Sequence, residues 1–152
     1  MALARELRLR GHAVRGTTRD PARAAEIEAA GAEPFIADPD RVSSIVPALD
    51  HASVLCVLLA SATGPPDAVK ALHGPRLQML LSKVLDTTVH GVAYEVRGSV
   101  PQDLLAAGDE AVRRACERSR IPYALLDGDP EDPAGWLRAS VAALEGLLTE
   151  KG

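Results

Sequence analysis

The chain has 152 residues and a mass of 16.0 kDa, with 47% hydrophobic residues, 25% charged residues and a formal net charge of −4. One globular domain with its own core, residues 1–152, fits this size, and a second full domain does not. The weak acidity gives no reason to expect nucleic acid or an anionic membrane as partner, and the longest apolar runs fall short of the ~20 residues a membrane span needs.

Leu3, Ala4 and Leu7 share one face of a helix over residues 2–10, and Gly11 stops it. Ala13 to Thr18 reads as a short strand. Asp20 and Pro21 are the expected cap and first residue of a second helix, whose inner stripe is Ala24, Ala25, Ile27 and Ala30 and whose end is Gly31. The next strand lies within Glu33 to Asp38, and Val42, Ile45, Val46 and Leu49 mark a short helix. Ser53 to Ala60 (SVLCVLLA) is uninterruptedly apolar, as in a parallel strand covered on both faces. Ser61 to Pro66 is a loop. Helical spacing resumes at Asp67, breaks at Gly74-Pro75 and continues through Leu77, Leu80, Leu81, Val84 and Leu85. Val89 to Tyr94 is a strand, and Ser99 to Gln102 has the spacing of a capping box before a helix through Leu104, Leu105, Ala111, Val112, Ala115 and Cys116. Ile121 to Leu126 is the last strand. Asp132-Pro133 opens a closing helix with Trp136, Leu137, Val141, Leu144 and Leu148 inward. Strand and helix therefore alternate five times after an initial helix, which predicts a mostly parallel sheet between two helical layers with right-handed crossovers.

Charge and thiols add less. Six arginines (Arg5, Arg8, Arg10, Arg15, Arg19, Arg23) stand against Glu6 and Asp20 in the first 23 residues, a surplus of four positive charges. That suits a phosphate ligand, and equally a solvated arginine-rich helix. Cys56 and Cys116 lack metal-ligand spacing and read as buried thiols of a reducing compartment. With charges scattered through MALARELRLRGH where a signal peptide needs an apolar stretch, the expected location is the cytoplasm.

The run GHAVRGTTRDP resembles the second strand of the atypical short-chain dehydrogenases and NAD-dependent epimerase/dehydratases, a group that includes an NmrA-like regulatory branch. VLLASATG, TTVHGVAYE and ERSRIPYALLD lie where those families have their fourth, fifth and sixth strands, so the resemblance covers nearly the whole chain. It implies a three-layer Rossmann-like fold and a dinucleotide ligand. Arg19 matches the position whose guanidinium meets the adenosine 2′-phosphate in NADP-preferring members, because a planar fork donates two hydrogen bonds to a phosphate. Thr17 or Thr18 stands where NAD-preferring relatives carry an acid for the ribose hydroxyls. The resemblance therefore implies NADP, with NAD as the other possibility. Asp38 matches an acidic position that touches the adenine amino group, and Ala60, Ser61 and Ala62 match the turn beside the adenine ribose. Read without the resemblance, Arg19 is a solvated residue beside a helix cap, Asp38 ends a strand, and residues 60–62 are ordinary loop.

Two family features are missing. No two glycines have even the G-x-x-G spacing, so the pyrophosphate cradle at a helix N-terminus has no counterpart. No Tyr-x-x-x-Lys pair exists either: Tyr94 is followed at that spacing by Gly98 and Tyr123 by Asp127. Tyr94 is the one candidate pocket residue, with a purely structural role as the alternative. His12, His51, His73 and His90 show no metal spacing and are expected at the surface or at strand ends. DGDPED lacks the glycine and glutamate of a calcium loop, and Ser61 lacks a nucleophile elbow.

In the strand order 3-2-1-4-5-6, the element with no counterpart is the first strand, between the strands at Ala13 to Thr18 and Ser53 to Ala60. The expectation is an N-terminally shortened form of a longer protein, with exposed strand edges that favour self-association. Three readings follow: an NAD(P)-dependent oxidoreductase or epimerase of unassigned chemistry, a noncatalytic dinucleotide-sensing module, or a remnant that no longer binds cofactor.

Overall fold

The computed structural model describes residues 2–149. Helix α1 (Ala2–Leu9) buries Leu3, Ala4 and Leu7 as their spacing requires. It unwinds at Gly11, whose φ of +88° lets the His12 amide turn back onto the Leu7 carbonyl at 3.0 Å. Strand β1 (Arg15–Thr18) follows, then a 3-10 turn Pro21–Arg23 opened by Asp20, whose carboxylate accepts the Ala22 amide at 3.0 Å. Helix α2 (Ala24–Ala29) buries Ile27, with Ala30 just beyond it, while Ala24 is half-buried and Ala25 exposed. Strand β2 is Glu33–Ile36. The short helix expected over Val42 to Leu49 is two 3-10 turns, Val42–Ser44 and Val46–Leu49.

Strand β3 (Val54–Val57) precedes α3 (Pro66–His73) and α4 (Pro75–Val84), separated at Gly74-Pro75 as the break predicts. Strand β4 (Gly91–Glu95) leads to α5 (Gln102–Ser119), which ends on Arg120 in the left-handed conformation at φ 56°. The capping box expected at its start is not formed. Pro101 occupies the cap position without a side-chain hydrogen bond, and the Ser99 amide donates to Ser61 Oγ instead. Strand β5 (Tyr123–Leu126) and helix α6 (Pro133–Thr149) close the chain, with the Asp132 carboxylate accepting the Gly135 amide at 3.2 Å. On α6 the buried residues are Ser140, Val141, Leu144 and Leu147; Leu148, expected inward, is only half-buried.

All strand pairs are parallel, but the sheet is in two pieces, β2-β1 and β3-β4-β5. The split corrects the reading of Ser53 to Ala60 as a strand covered throughout. Val54, Leu55 and Cys56 are half-buried and Leu58 is 41% exposed, because β3 pairs only with β4 and its other edge is open. Full burial belongs to β4, among the described residues the one strand hydrogen-bonded on both sides. Arg15, at the start of β1, reaches the carbonyls of Ala48 (3.1 Å) and Asp50 just ahead of β3. The amino ends of the two pieces therefore lie together.

Helices cover both faces. On one, Leu3 and Leu7 of α1 join Val141, Leu144 and Leu147 of α6 over Val14, Val54, Cys56, Ala93 and Leu126. On the other, Val42, Ile45 and Leu49 with Leu77, Leu80, Leu81 and Val84 pack against Val57, Val92 and Tyr94. No helix among the described residues is long and apolar enough to cross a membrane.

Candidate functional site

In open parallel sheets ligands bind outside the carboxyl ends of the strands, where strand order reverses. Here β1 and β2 end side by side, with the Ala37 amide donating to the Thr18 carbonyl at 3.0 Å. Thr18, Arg19 and Asp38 are thereby brought onto one rim. Thr17 is exposed and Thr18 half-buried, and Thr18 Oγ1 accepts the Asp20 amide at 3.1 Å. That bond and the Asp20 cap fix the turn from β1 into α2, with Arg19 at its apex. Arg19 is exposed, and unlike Arg15 and Arg23 on either side it pairs with no carboxylate among the described residues.

Asp38 is half-buried and already occupied. Its Oδ1 accepts the Asp40 amide at 2.9 Å, while its own amide donates to Ser44 Oγ at 2.8 Å. The turn is held against α4 by Asp40, which accepts from Arg76 Nε at 3.0 Å.

Ala60, Ser61 and Ala62 lie on the other sheet piece, past the end of β3. Ala60 is fully buried and its carbonyl accepts the Val100 amide at 2.9 Å; Ser61 is exposed and Ala62 half-buried. Gly98 sits directly on this turn. A Cβ there would lie 2.3 Å from the Ala60 carbonyl oxygen and 2.8 Å from Ser61 Oγ, so only glycine lets the loops after β3 and β4 meet. Among the described residues no hydrogen bond joins residues 60–62 to Thr17, Thr18, Arg19 or Asp38. The site residues thus form two groups on two sheet pieces. Two shallow concavities lie elsewhere, one beside Leu49, Asp50, Thr87 and Thr88 at the amino ends of β3 and β4, the other between α4 and α5. None of the predicted site residues lines either.

Tyr94 lies in the core, with no exposed surface. Its hydroxyl is 2.6 Å from His73 Nδ1, and His73 Nε2 is 2.9 Å from the Leu59 carbonyl oxygen. A carbonyl only accepts, so Nε2 carries the proton, Nδ1 presents its lone pair, and Tyr94 is the donor. Burial lowers the His73 pKa, partly opposed by the Leu59 hydrogen bond. Burial also raises that of Tyr94, helped by the negative charge of Asp109. Both shifts favour the neutral forms that this chain of hydrogen bonds needs. A glycine completes the arrangement: a Cβ on Gly108 of α5 would lie 2.0 Å from the Tyr94 hydroxyl oxygen.

His73 corrects the expectation of a surface histidine, since it is 2% exposed. The signal was its place one turn after Val69, on the buried face of α3. Sequence reasoning also missed Glu95, 9% exposed at the carboxyl end of β4, which accepts from Trp136 Nε1 at 3.0 Å. Both thiols are inert at neutral pH. Burial and then Glu95 push Cys56 up to about 12, while burial and then Glu117 push Cys116 up to about 11. Among the described residues no cluster of His, Cys, Asp and Glu could hold a metal ion.

No protein-family model and no curated protein sequence matches the chain. Solved structures do. The crystal structure of gox2253 superposes with a TM-score of 0.69 at 18% identity, over 86% of this chain and 49% of that one. The Citrobacter sp. triphenylmethane reductase complexed with NADP(H) gives 0.64 at 17% identity, over 88% and 47%. A second structure of that reductase, described in the context of bioremediation of triphenylmethane dyes, gives 0.66 at 19% identity, over 99% and 62%. The chain spans about half to three fifths of the length of these proteins. What it shares with them is the fold: a Rossmann-like α/β architecture with parallel strands between helical layers.

Proposed function

We propose that this chain forms the adenosine half of an NADP site in a protein of the atypical short-chain dehydrogenase type. Arg19 is the observation that carries this reading. It is a guanidinium paired with no carboxylate among the described residues, at the apex of a turn fixed by Thr18 and Asp20, on the rim where the carboxyl ends of β1 and β2 converge. No acidic residue stands at Thr17 or Thr18 to claim the ribose hydroxyls, so the turn suits a 2′-phosphate better than a free 2′-hydroxyl. Ala60, Ser61 and Ala62 supply the small-residue wall beside the ribose, and Asp38 stands at the adenine end. The NADP(H) complex of the Citrobacter reductase supports a dinucleotide as the ligand class.

Within this reading, a noncatalytic dinucleotide-sensing role is favoured by Tyr94. The hydroxyl of this one candidate pocket residue is spent on His73 in the core. Calorimetric titration of NADPH and NADH, followed by assay of NADPH oxidation with a carbonyl substrate, tests both parts. Preference for NADPH without turnover is the expected result. Turnover would replace the sensor by an enzyme, and equal affinity for the two cofactors would overturn the NADP assignment.

A further inference from the structure

We propose that Glu95, at the carboxyl end of β4, is the centre of a binding site for a small molecule that carries a primary ammonium group on an apolar body. The site uses none of the residues assigned to the dinucleotide and does not depend on that reading.

Its centre is a carboxylate with too few partners. Glu95 is 9% exposed, yet among the described residues it forms no ion pair and accepts one hydrogen bond, from Trp136 Nε1 to Oε2 at 3.0 Å. An indole is a neutral donor, so the negative charge has no counterpart. The other oxygen is not sealed in. Among the described residues, the buried side-chain atoms left without a partner are His90 Nδ1 and Ser140 Oγ, so Glu95 Oε1, which also has none, keeps contact with solvent. A carboxylate drawn out of water with one oxygen open favours a donor that brings its own positive charge.

The nearest basic side chain along the chain is committed elsewhere. Arg97, two residues on, lies 3.7 Å from Asp129 and donates to the Asp127 carbonyl at 3.4 Å. The loop after β5 carries Asp127, Asp129, Glu131 and Asp132, so Arg97 is the one base beside these acids and Glu95. That balance draws cations to this end of the sheet. A guanidinium fork needs both oxygens of its carboxylate, and Oε2 is held by Trp136, so the compact charge of an ammonium fits Oε1 better.

The apolar body follows from the neighbours. Alternate residues of β4 face α6: Gly91 meets Leu147, Ala93 packs among the α6 side chains, and Glu95 meets Trp136. Val54 and Cys56 of β3 share that face, and the charge of Glu95 helps to raise the Cys56 thiol. Carrying the pairing of Val57 with Tyr94 one residue further sets Leu58 beside Glu95 on the same face, and Leu58 is 41% exposed. Past the end of β5, Gly128 lies against Trp136, where a Cβ would stand 3.1 Å from its Cα and Cδ1. Leu58 and the half-buried indole therefore give the carboxylate an apolar surround.

Trp136 is the single tryptophan of the chain, so its fluorescence reports on the site. Cyclohexylmethylammonium, the neutral cyclohexylmethanol, and N-acetyl-lysinamide, an ammonium on a polar body, are titrated into the parent chain, Glu95→Gln and Glu131→Gln. The parent is expected to bind the cyclohexyl ammonium about tenfold or more tighter than the alcohol, and several-fold tighter than the lysinamide. In Glu95→Gln the preference over the alcohol should fall below about threefold, while Glu131→Gln, which removes an exposed loop charge, should keep it. If circular dichroism shows Glu95→Gln unfolded, Glu95→Asp takes its place; it keeps the charge but draws it back by one methylene, and the preference should fall about threefold or more. Glu95 serving only to hold Trp136 would change Tm in these variants without any discrimination between ammonium and alcohol in the parent. Four results would overturn the site: no saturable response to the cyclohexyl ammonium, equal affinity for it and the alcohol, a preference that the Glu95 variant keeps or Glu131→Gln loses equally, or lysinamide bound as tightly, which would assign the carboxylate to a lysine of another protein.

Discussion

Replacing Tyr94 by Phe separates a structural from a chemical role for the one tyrosine in the core. The ring stays, so packing against Val92 and Val112 is kept and only the hydroxyl leaves. What remains is the Nδ1 lone pair of His73, 2% exposed and without a donor, since Nε2 is committed to Leu59. An orphaned buried acceptor costs about 1 to 3 kcal/mol, at the upper end when no water can reach it. At about 2 to 4 °C per kcal/mol for a chain of this size, Tyr94→Phe should lower Tm by several degrees. His73→Leu should also destabilise, by orphaning both the Tyr94 hydroxyl and the Leu59 carbonyl. The double variant should fall well short of the sum of the two, because the shared hydrogen bond is lost only once. Thermal unfolding by circular dichroism reads all four proteins. If Tyr94→Phe is as stable as the parent, or the two substitutions add, the buried chain of hydrogen bonds does not hold α3 to the sheet.

The same contacts make further predictions. Gly108→Ala puts a Cβ 2.0 Å from the Tyr94 hydroxyl oxygen and should cost about 1 to 3 kcal/mol in urea unfolding despite alanine's better helix propensity; an unchanged midpoint would refute the close packing. The folded-state pKa of His73 is depressed below 6.5, so the unfolded chain takes up its proton first and acid favours unfolding. Stability should be full above pH 6.5 and fall as pH drops from there toward the folded-state value. The fall in urea midpoint between pH 7.5 and 5 should shrink in His73→Gln, and an equal fall in both would refute the assignment. With thiols at about 12 and about 11, native protein at pH 8 should resist iodoacetamide at Cys56 and Cys116 and react rapidly in urea, as read by mass spectrometry.

The helix-strand alternation was legible because it is written locally. Gly11 and Gly31 both take positive φ where a helix ends, Asp20 caps as expected, and the Gly74-Pro75 break separates α3 from α4. What local pattern cannot show is what pairs with a strand. SVLCVLLA has the composition of a doubly covered strand, and only the open edge of β3 explains why half of it is half-buried. The Trp136–Glu95 bond joins residues 41 apart and has no local signature. His73 and Gly108 did have one. A histidine in register with Val69, and a lone glycine inside a long helical pattern, both mark inward faces in close contact. The capping box failed because the helix starts two residues later than the box assumes, leaving Pro101, which has no capping side chain, at the cap position in place of Ser99. At the site, Thr18, Arg19 and Asp38 were placed together through the parallel pairing of β1 with β2. Their distance from Ala60, Ser61 and Ala62 could not be read from the sequence, because it depends on the split in the sheet.

The central claim, that this chain carries the adenosine end of an NADP site, is tested most directly with a ligand that has only that end. Adenosine 2′,5′-bisphosphate and AMP differ by the 2′-phosphate and need no pyrophosphate cradle. Calorimetric titration of the parent chain and of Arg19→Ala should show tighter binding of the bisphosphate by the parent, a loss of about ten- to a hundredfold in the variant, and little change for AMP. Equal affinities for the two nucleotides, or a bisphosphate affinity that Arg19→Ala leaves untouched, would contradict it.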